Sequence, residues 1–392
     1  MRLAIWCGSY FKGFGGAEKV VNDLLNRFAD LGIDTFLIAG NSDRQQTHNP
    51  HYEPLHPGIT VYQNSFANPF DYLNQPFIFI LRLIQYLKAS LQLRSFLRRN
   101  NIQIIHLHFV GFDVLLLALF KYLVGYELII TFVGSDIEMA QKDRFSRLKV
   151  RIALRCADRV TAVSQDICRK LEESYSYAKA SYIPNGIDAD QIRQMAAASF
   201  PDVREDNFVY CGRLVPVKRV PFLIEAFYQC LVKGCTRNLY IIGDGDETAK
   251  IRELINGYGI ADRVITLGAL THRQTLAVMN RSRCLLLSSA SEACPMVALE
   301  SLALGKPVIA PDVGGLKELL LDRETGYLYP VERQDVLCDL IMQMADGRSP
   351  LPGALGSKAS MLTLSRFRLE TVIRQYLEIY QTVKPAVRDR NT

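Results

Sequence analysis

The chain reads as two successive α/β domains, each a doubly wound parallel sheet, facing one another across a cleft. Three observations predict this. Short continuous apolar runs, IIHLHF at Ile104–Phe109, LIITFV at Leu128–Val133 and CLLLSS at Cys284–Ser289, suit strands covered on both faces. Segments with helical spacing alternate with such runs, as a parallel sheet with crossover helices requires. The alternation restarts once, after a polar, proline-containing stretch, MAAASFPDVREDN, that places the boundary near residues 195–205.

Composition agrees with that plan. A length of 392 residues accommodates two domains that each bury a core. With 49% hydrophobic and 22% charged residues, the balance is that of a soluble globular chain. The net charge of +6 fits anionic ligands or an anionic membrane face and is too small to argue for nucleic acid. Nine cysteines, an odd number without CxxC pairs, point to a reducing compartment and away from a disulfide framework or zinc site. The first residues lack a signal peptide's long apolar core and small-residue cleavage site, so a cytoplasmic location is expected.

Arg2–Gly8 reads as a strand, Phe11–Gly16 as a glycine-rich turn, Ala17–Leu31 as an amphipathic helix and Thr35–Ala39 as the next strand. The turn lacks the third glycine of a dinucleotide fingerprint and the Lys of a Walker loop. It is either a tight turn that answers backbone geometry or a phosphate cradle. Gln45–Asn74 is polar, and the spacing of His48, His51 and His56 matches no metal-ligand pattern, so a solvated loop explains it. Phe77–Arg99 is a helix with apolar Leu81, Ile84, Leu87 and Leu91 and basic Arg82, Lys88, Arg94, Arg98 and Arg99. It either packs on the core with a solvated basic face or rests on an anionic membrane surface. Arg82 and Lys121 interrupt the apolar runs well short of the roughly 20 residues that span a bilayer. His106 and His108 share one face of their strand, as core or cleft-lining groups. Arg159–Ser164, a helix from Gln165, and Ser181–Asn185 complete a first domain over residues 1–195.

In the second domain, residues 205–365, strand Phe208–Cys211 and helix Val220–Leu231 flank Gly212-Arg213-Leu214-Val215-Pro216-Val217-Lys218. Ligands of open parallel sheets bind beyond the carboxyl ends of the strands. Arg213 as a fork and Lys218 as a point charge suit a diphosphate there, unless they are ordinary loop charge. Leu239–Ile242 leads into Gly243-Asp244-Gly245-Asp246, whose paired carboxylates admit a divalent ion and whose glycines favour a tight turn. Val264–Gly268 and Arg273–Asn280 continue the alternation.

After Cys284–Ser289, Pro295 suits the first position of a helix that Gly305 and Pro307 end after roughly three turns. Glu300 lies inside it, among the apolar neighbours Met296, Val297, Ala303 and Leu304. Such a carboxylate needs a partner, either Lys or Arg or the two donors of a vicinal diol such as ribose. Glu292 precedes the helix and either complements its dipole or orients a ligand hydroxyl, while first-turn N–H groups face an anion. Cys294 reads as a small loop-filling residue rather than an activated thiolate. Strand Tyr327–Tyr329, helix Gln334–Met344 and a last helix, Phe367–Val383, follow, the last with Leu369, Val372, Ile373, Tyr376 and Tyr380 at helical spacing.

Glu292, seven residues, Glu300, then Gly305-Lys306-Pro307-Val308-Ile309-Ala310 and Asp312-Val313-Gly314-Gly315 with Glu318 resembles the donor-site motif of retaining glycosyltransferases of family 4. Gly15-Gly16-Ala17-Glu18 resembles the loop that approaches the donor phosphates and the acceptor. Gly212-Arg213-Leu214 with Lys218 resembles the family's diphosphate contact, and Pro184-Asn185-Gly186-Ile187-Asp188 its exit into the interdomain linker. Thr131-Phe132-Val133-Gly134-Ser135-Asp136 resembles a segment near the transferred sugar, where His usually stands in place of Val133. The resemblance implies the GT-B fold, with a C-terminal helix over residues 366–392 packing back toward the first domain. It also implies transfer of a hexose-type sugar, with retention, from a UDP- or GDP-linked donor to a glycan or lipid-linked acceptor in polysaccharide or glycolipid synthesis. No metal or other cofactor is expected. The donor residues it implies are Gly15, Gly16, Arg213, Lys218, Gly243, Gly245, Glu292, Cys294, Pro295, Met296, Val297 and Glu300. Glu292, Arg213, Lys218 and Asp136 are the catalytic candidates. Val133 motivates the alternative of a non-catalytic nucleotide-sugar binding subunit.

Overall fold

The computed structural model describes residues 1–10, 15–40, 54–64, 72, 74–197, 203–347 and 365–383. Gly13, Phe14, His48 and His51, on which parts of the turn and loop readings rest, lie outside the described residues. So do 198–202 of the expected linker and the chain from 384 on. Two compact units emerge: Met1–Ile183 together with the chain from Ile373, and Pro184–Val372.

The first unit contains β1 (Arg2–Cys7), α1 (Gly16–Asp30), β2 (Asp34–Gly40), β3 (Thr60–Asn64), α2 (Pro76–Arg99), β4 (Ile104–His108) and α3 (Asp113–Val124). It continues with β5 (Glu127–Phe132), α4 (Ser135–Lys142), α5 (Arg144–Cys156), β6 (Arg159–Ala162), α6 (Gln165–Tyr175) and β7 (Ser181–Tyr182). Its seven strands run β3-β2-β1-β4-β5-β6-β7, all pairs parallel. The central strands are buried along almost their whole length, which is why they read as unbroken apolar runs. β3 falls in the segment expected to be loop. It is an edge strand, registered Phe36↔Thr60 to Gly40↔Asn64, and an edge needs no apolar run. Tyr62 secures it by stacking on Phe96, ring centroids 4.4 Å apart.

One of the two readings of α2 falls here, and one expectation changes. The apolar positions of α2 do not face the core: Leu81, Ile84, Leu87 and Leu91 are exposed, and Ala89, Ser90, Leu93 and Leu97 are the buried residues. The helix carries two apolar stripes, so periodicity identified the helix without saying which stripe turns inward. The division between units also falls earlier than residues 195–205. Helix α7 (Ala189–Ala196) buries Ile192, Met195 and Ala196 and packs with the second unit, against α10 (His272–Arg281) and α11 (Met296–Ala303).

The remaining elements of the second unit are β8 (Phe208–Cys211), α8 (Val220–Val232), β9 (Leu239–Ile242), α9 (Thr248–Gly257), β10 (Val264–Gly268) and β11 (Cys284–Leu286). β12 (Val308–Pro311), α12 (Leu316–Leu319), β13 (Gly326–Tyr329) and α13 (Gln334–Ala345) follow. The six strands run β10-β9-β8-β11-β12-β13, again all parallel. The last helix, α14 (Leu369–Thr382), ends in the first unit.

There, in the core, His106 Nδ1 bonds the Tyr380 hydroxyl at 2.7 Å and His106 Nε2 bonds Thr131 Oγ1 at 2.6 Å; Thr131 meets Thr161 at 2.6 Å. Burial holds the His106 ring well below the usual range and pushes His108 down to about 3. Both are core histidines.

Candidate functional site

The order of the second sheet reverses between β8 and β11, and open parallel sheets bind ligands beyond the carboxyl ends of their strands at such a switch point. The loop after β8 carries Arg213 and Lys218; the loop after β11 carries Ser288, Ser289 and Glu292. Ala290 N donates to Val217 O at 2.8 Å and Ser288 Oγ to Lys218 O at 2.8 Å, so the two loops are pinned together. Lys218 Nζ then reaches Glu292 Oε1 at 2.6 Å, and Ser289 Oγ donates to the same oxygen at 2.7 Å. The pair is mostly buried, with side chains 20% and 10% exposed, so water screens it little. The Arg213 guanidinium is exposed, has no partner among the described residues, and is held through its backbone by Tyr210, whose hydroxyl donates to Arg213 O at 3.2 Å.

The loop after β9 interlocks with that after β8: Leu214 N donates to Asp244 O at 2.9 Å and Glu247 N to Leu214 O at 2.9 Å. This close approach is why Gly243 and Gly245 are glycines. A Cβ at Gly243, where φ is +136°, would lie 1.9 Å from Gly212 O, and one at Gly245 2.5 Å from Leu214 O. Asp244 Oδ1 accepts from Gly245 N at 2.8 Å and Thr248 Oγ1 at 2.6 Å, the tight turn. Among the described residues, no three His, Cys, Asp or Glu side chains converge as a metal site.

Glu300 is buried in α11, and its partner is a histidine rather than a Lys or Arg: His272 Nε2 and Glu300 Oε1 are 2.7 Å apart. Sequence reasoning missed His272, although a capping box was legible. Thr271 and Gln274 exchange side-chain and backbone hydrogen bonds, which fixes His272 as the first residue of α10. Helix α11 is shorter than expected, eight residues, because Pro295 is its N-cap in an extended conformation rather than its first turn. The N–H groups of Met296 and Val297 therefore open the helix without intrahelical acceptors. The approach to it is fixed from behind, where Asn185 Nδ2 donates to Cys294 O at 2.8 Å and Gly315 N to Glu292 O at 2.9 Å. Burial pushes the Cys294 thiol up to about 12, which keeps it protonated as a loop-filling residue should be.

Three expected site residues belong to the first unit. Gly15 is the N-cap of α1 and Gly16 its first residue. Asp136 is buried at the start of α4 and accepts from four backbone N–H groups: Gly134 and Ile137 at 3.0 Å, Val133 at 3.3 Å and Val110 at 3.4 Å. Its carboxylate ties the loop after β5 to the loop after β4. Burial outweighs those bonds and pushes it up to about 6.

Two family models match in succession, "Glycosyltransferase Family 4" over residues 14–191 and "Glycosyl transferases group 1" over residues 192–360. The chain belongs to glycosyltransferase family 4. This glycosyltransferase is 28% identical over 396 residues to N-acetyl-alpha-D-glucosaminyl L-malate synthase of Bacillus anthracis, covering 98% of this chain and 97% of that protein. It is 28% identical over 394 residues to D-inositol 3-phosphate glycosyltransferase of Kribbella flavida, covering 94% and 91%. Sucrose-phosphate synthase from Thermosynechococcus elongatus superposes with a TM-score of 0.76 at 20% identity, covering 97% of this chain and 98% of that one. HepE of Anabaena in complex with UDP-glucose gives 0.75 at 20% identity, covering 98% and 100%. The glycosyltransferase thus has the GT-B fold of two Rossmann-like units.

Proposed function

We propose that this glycosyltransferase moves a hexose-type sugar, with retention, from a UDP- or GDP-linked donor to a glycan or lipid-linked acceptor in polysaccharide or glycolipid synthesis, working on the cytoplasmic side. One observation carries the donor assignment. Both glutamates of the site place a single oxygen, Oε1, in the protein's own hydrogen bonds, to Lys218 and Ser289 at Glu292 and to His272 at Glu300. Each keeps Oε2 for ligand hydroxyls, the sugar's at Glu292 and the ribose diol's at Glu300.

The chemistry follows from charge. As the glycosidic bond breaks, negative charge grows on the leaving diphosphate, and groups already aimed at it stabilise the transition state more than the ground state. Arg213, Lys218 and the first-turn N–H groups of Met296 and Val297 supply that field, so on this reading no metal ion is required. The structure of HepE in complex with UDP-glucose supports the donor class.

A thermal-shift titration with UDP, GDP, ADP and their sugar conjugates tests the assignment. Ligand at a hundred times its dissociation constant should add about 2.7 kcal/mol. Stabilisation by one nucleotide family that Glu300→Ala abolishes is the expected result; no response to any of them would overturn it. Turnover undiminished by a chelator is expected as well. The second reading, a nucleotide-sugar binding subunit without turnover, is favoured by Val133, which offers no hydrogen bond where the family usually has His. Sugar transfer by the purified chain alone removes that reading.

A further inference from the structure

We propose that the outer face of α2, α3 and α5 is a docking surface for an anionic lipid bilayer. The inference stands on the first unit alone and does not depend on the donor-site reading. On α2, Phe77, Ile80, Leu81, Ile84, Leu87 and Leu91 recur at helical spacing and are all exposed, Phe77 by 75% and Leu91 by 66%. A soluble helix turns such a stripe inward; here it turns outward, over a helix of about 36 Å at 1.5 Å per residue. The stripe does not end with α2. Leu119, Tyr122 and Leu123 of α3 are exposed beside it, and Arg98 Nη2 donates to Leu123 O at 2.9 Å, joining the two helices. Toward α5, Tyr86 contacts Phe112 at 5.6 Å between centroids and Phe112 contacts Phe145 at 6.2 Å. Phe145 and Leu148 of α5 are exposed in turn.

Charge decides the occupant. Helix α2 contains five basic residues and no acidic one, with Lys88, Arg98 and Arg99 exposed, and α5 exposes Arg144, Arg147, Arg151 and Arg155 while its Lys149 is buried, again with no acidic residue. Asp143, exposed just before α5, caps that helix by accepting from Ser146 N at 2.7 Å, and Glu172 and Glu173 are exposed on the neighbouring α6. A cavity of about 310 Å³ beside Arg151 and Arg155, with Tyr175 and Tyr177 in its wall, offers donors to a phosphate headgroup. A second copy of the chain would set this basic face against itself in a two-fold dimer. An anionic bilayer instead satisfies both features, acyl chains receiving the apolar stripe and headgroups the cations. No helix among the described residues is long and apolar enough to cross a membrane, so the attachment is to one leaflet.

Flotation of the full chain with phosphatidylcholine vesicles, with and without about 30 mol % phosphatidylglycerol, tests this. Binding is expected with the anionic lipid only and weakens as salt rises. Ile84→Glu with Leu87→Glu should lower vesicle affinity at least ~10-fold, because each buries apolar area only in the bound state. Lys88→Gln and Arg99→Gln, surface changes that leave the fold intact, should each lower it about fivefold. Absence of flotation with anionic vesicles, or equal flotation of wild type and all three variants, overturns the proposal. Equal binding to neutral vesicles overturns its anionic specificity. Light scattering that shows a dimer, dissolved by the Glu variants and indifferent to vesicles, assigns the face to a second copy instead.

Discussion

On the proposed reading Lys218 is the residue on which the donor site turns; its ammonium sits 2.6 Å from Glu292 Oε1. Lys218→Met should lower kcat/KM by about 10²-fold, within the range for removing one transition-state charge partner. His272→Ala should cost less, about tenfold in donor affinity with kcat preserved, since it positions Glu300 without meeting the reacting bond. A core residue gives a separate test. The His108 ring has Nε2 unpartnered and is neutral in the fold, so the unfolded chain takes up a proton below its ordinary value of 6.5 that the fold refuses down to about 3. Stability therefore falls by about 1.4 kcal/mol per pH unit on acidification through that window. His108→Phe should gain about 2 kcal/mol on wild type between pH 7.5 and 5, read from urea midpoints. Side-chain type and spacing left Glu292, Glu300, Arg213 and Lys218 open between ordinary structural roles and a site, and the resemblance to family 4 singled them out. Their partners were not legible: His272 reaches Glu300 from the start of another helix, 28 residues earlier, and Ser289, three residues before Glu292, is one of three serines in that loop with nothing in the sequence to single it out.

Among elements, the glycine turn after β9 makes the firmest demand. Gly243→Ala brings a methyl group to within 1.9 Å of the Gly212 carbonyl, at a φ that only glycine holds without strain. It should destabilise the second unit by more than about 2 kcal/mol and shift the loop that carries Arg213. Thr271→Ala, which opens the capping box of α10, should cost about 1 kcal/mol and reach Glu300 through His272. Periodicity placed the buried strands and many of the helices, but α4, α5, α7 and α9 were not read from it. It failed for β3, whose edge position lets polar residues form a strand, and for the orientation of α2, where two apolar stripes gave the pattern no inward sense.

On the scale of the whole molecule, the restart of the β-α-β alternation showed that there are two units. It did not show where the first ends, because α7 looks like a trailing helix of one unit while its buried face belongs to the next. Nor did it show that Tyr376 and Tyr380 complete the first core, since an aromatic stripe at helical spacing names no partner. A chain ending at residue 372 should keep the nucleotide response of the second unit. It should lose amide-exchange protection in β4, where His106 would have no Tyr380 to bond.

That last contact has a consequence for how the protein is made. The residues that finish the first core leave the ribosome only after all of Pro184–Val372 has been synthesised, a wait of roughly 10–40 s at about 5–20 residues per second. Until then the nascent first half exposes the surface that Tyr376 and Tyr380 will cover and is a natural client for chaperones. The second half is one uninterrupted stretch and can close as soon as it emerges. The portion translated later is thus the first able to complete its fold.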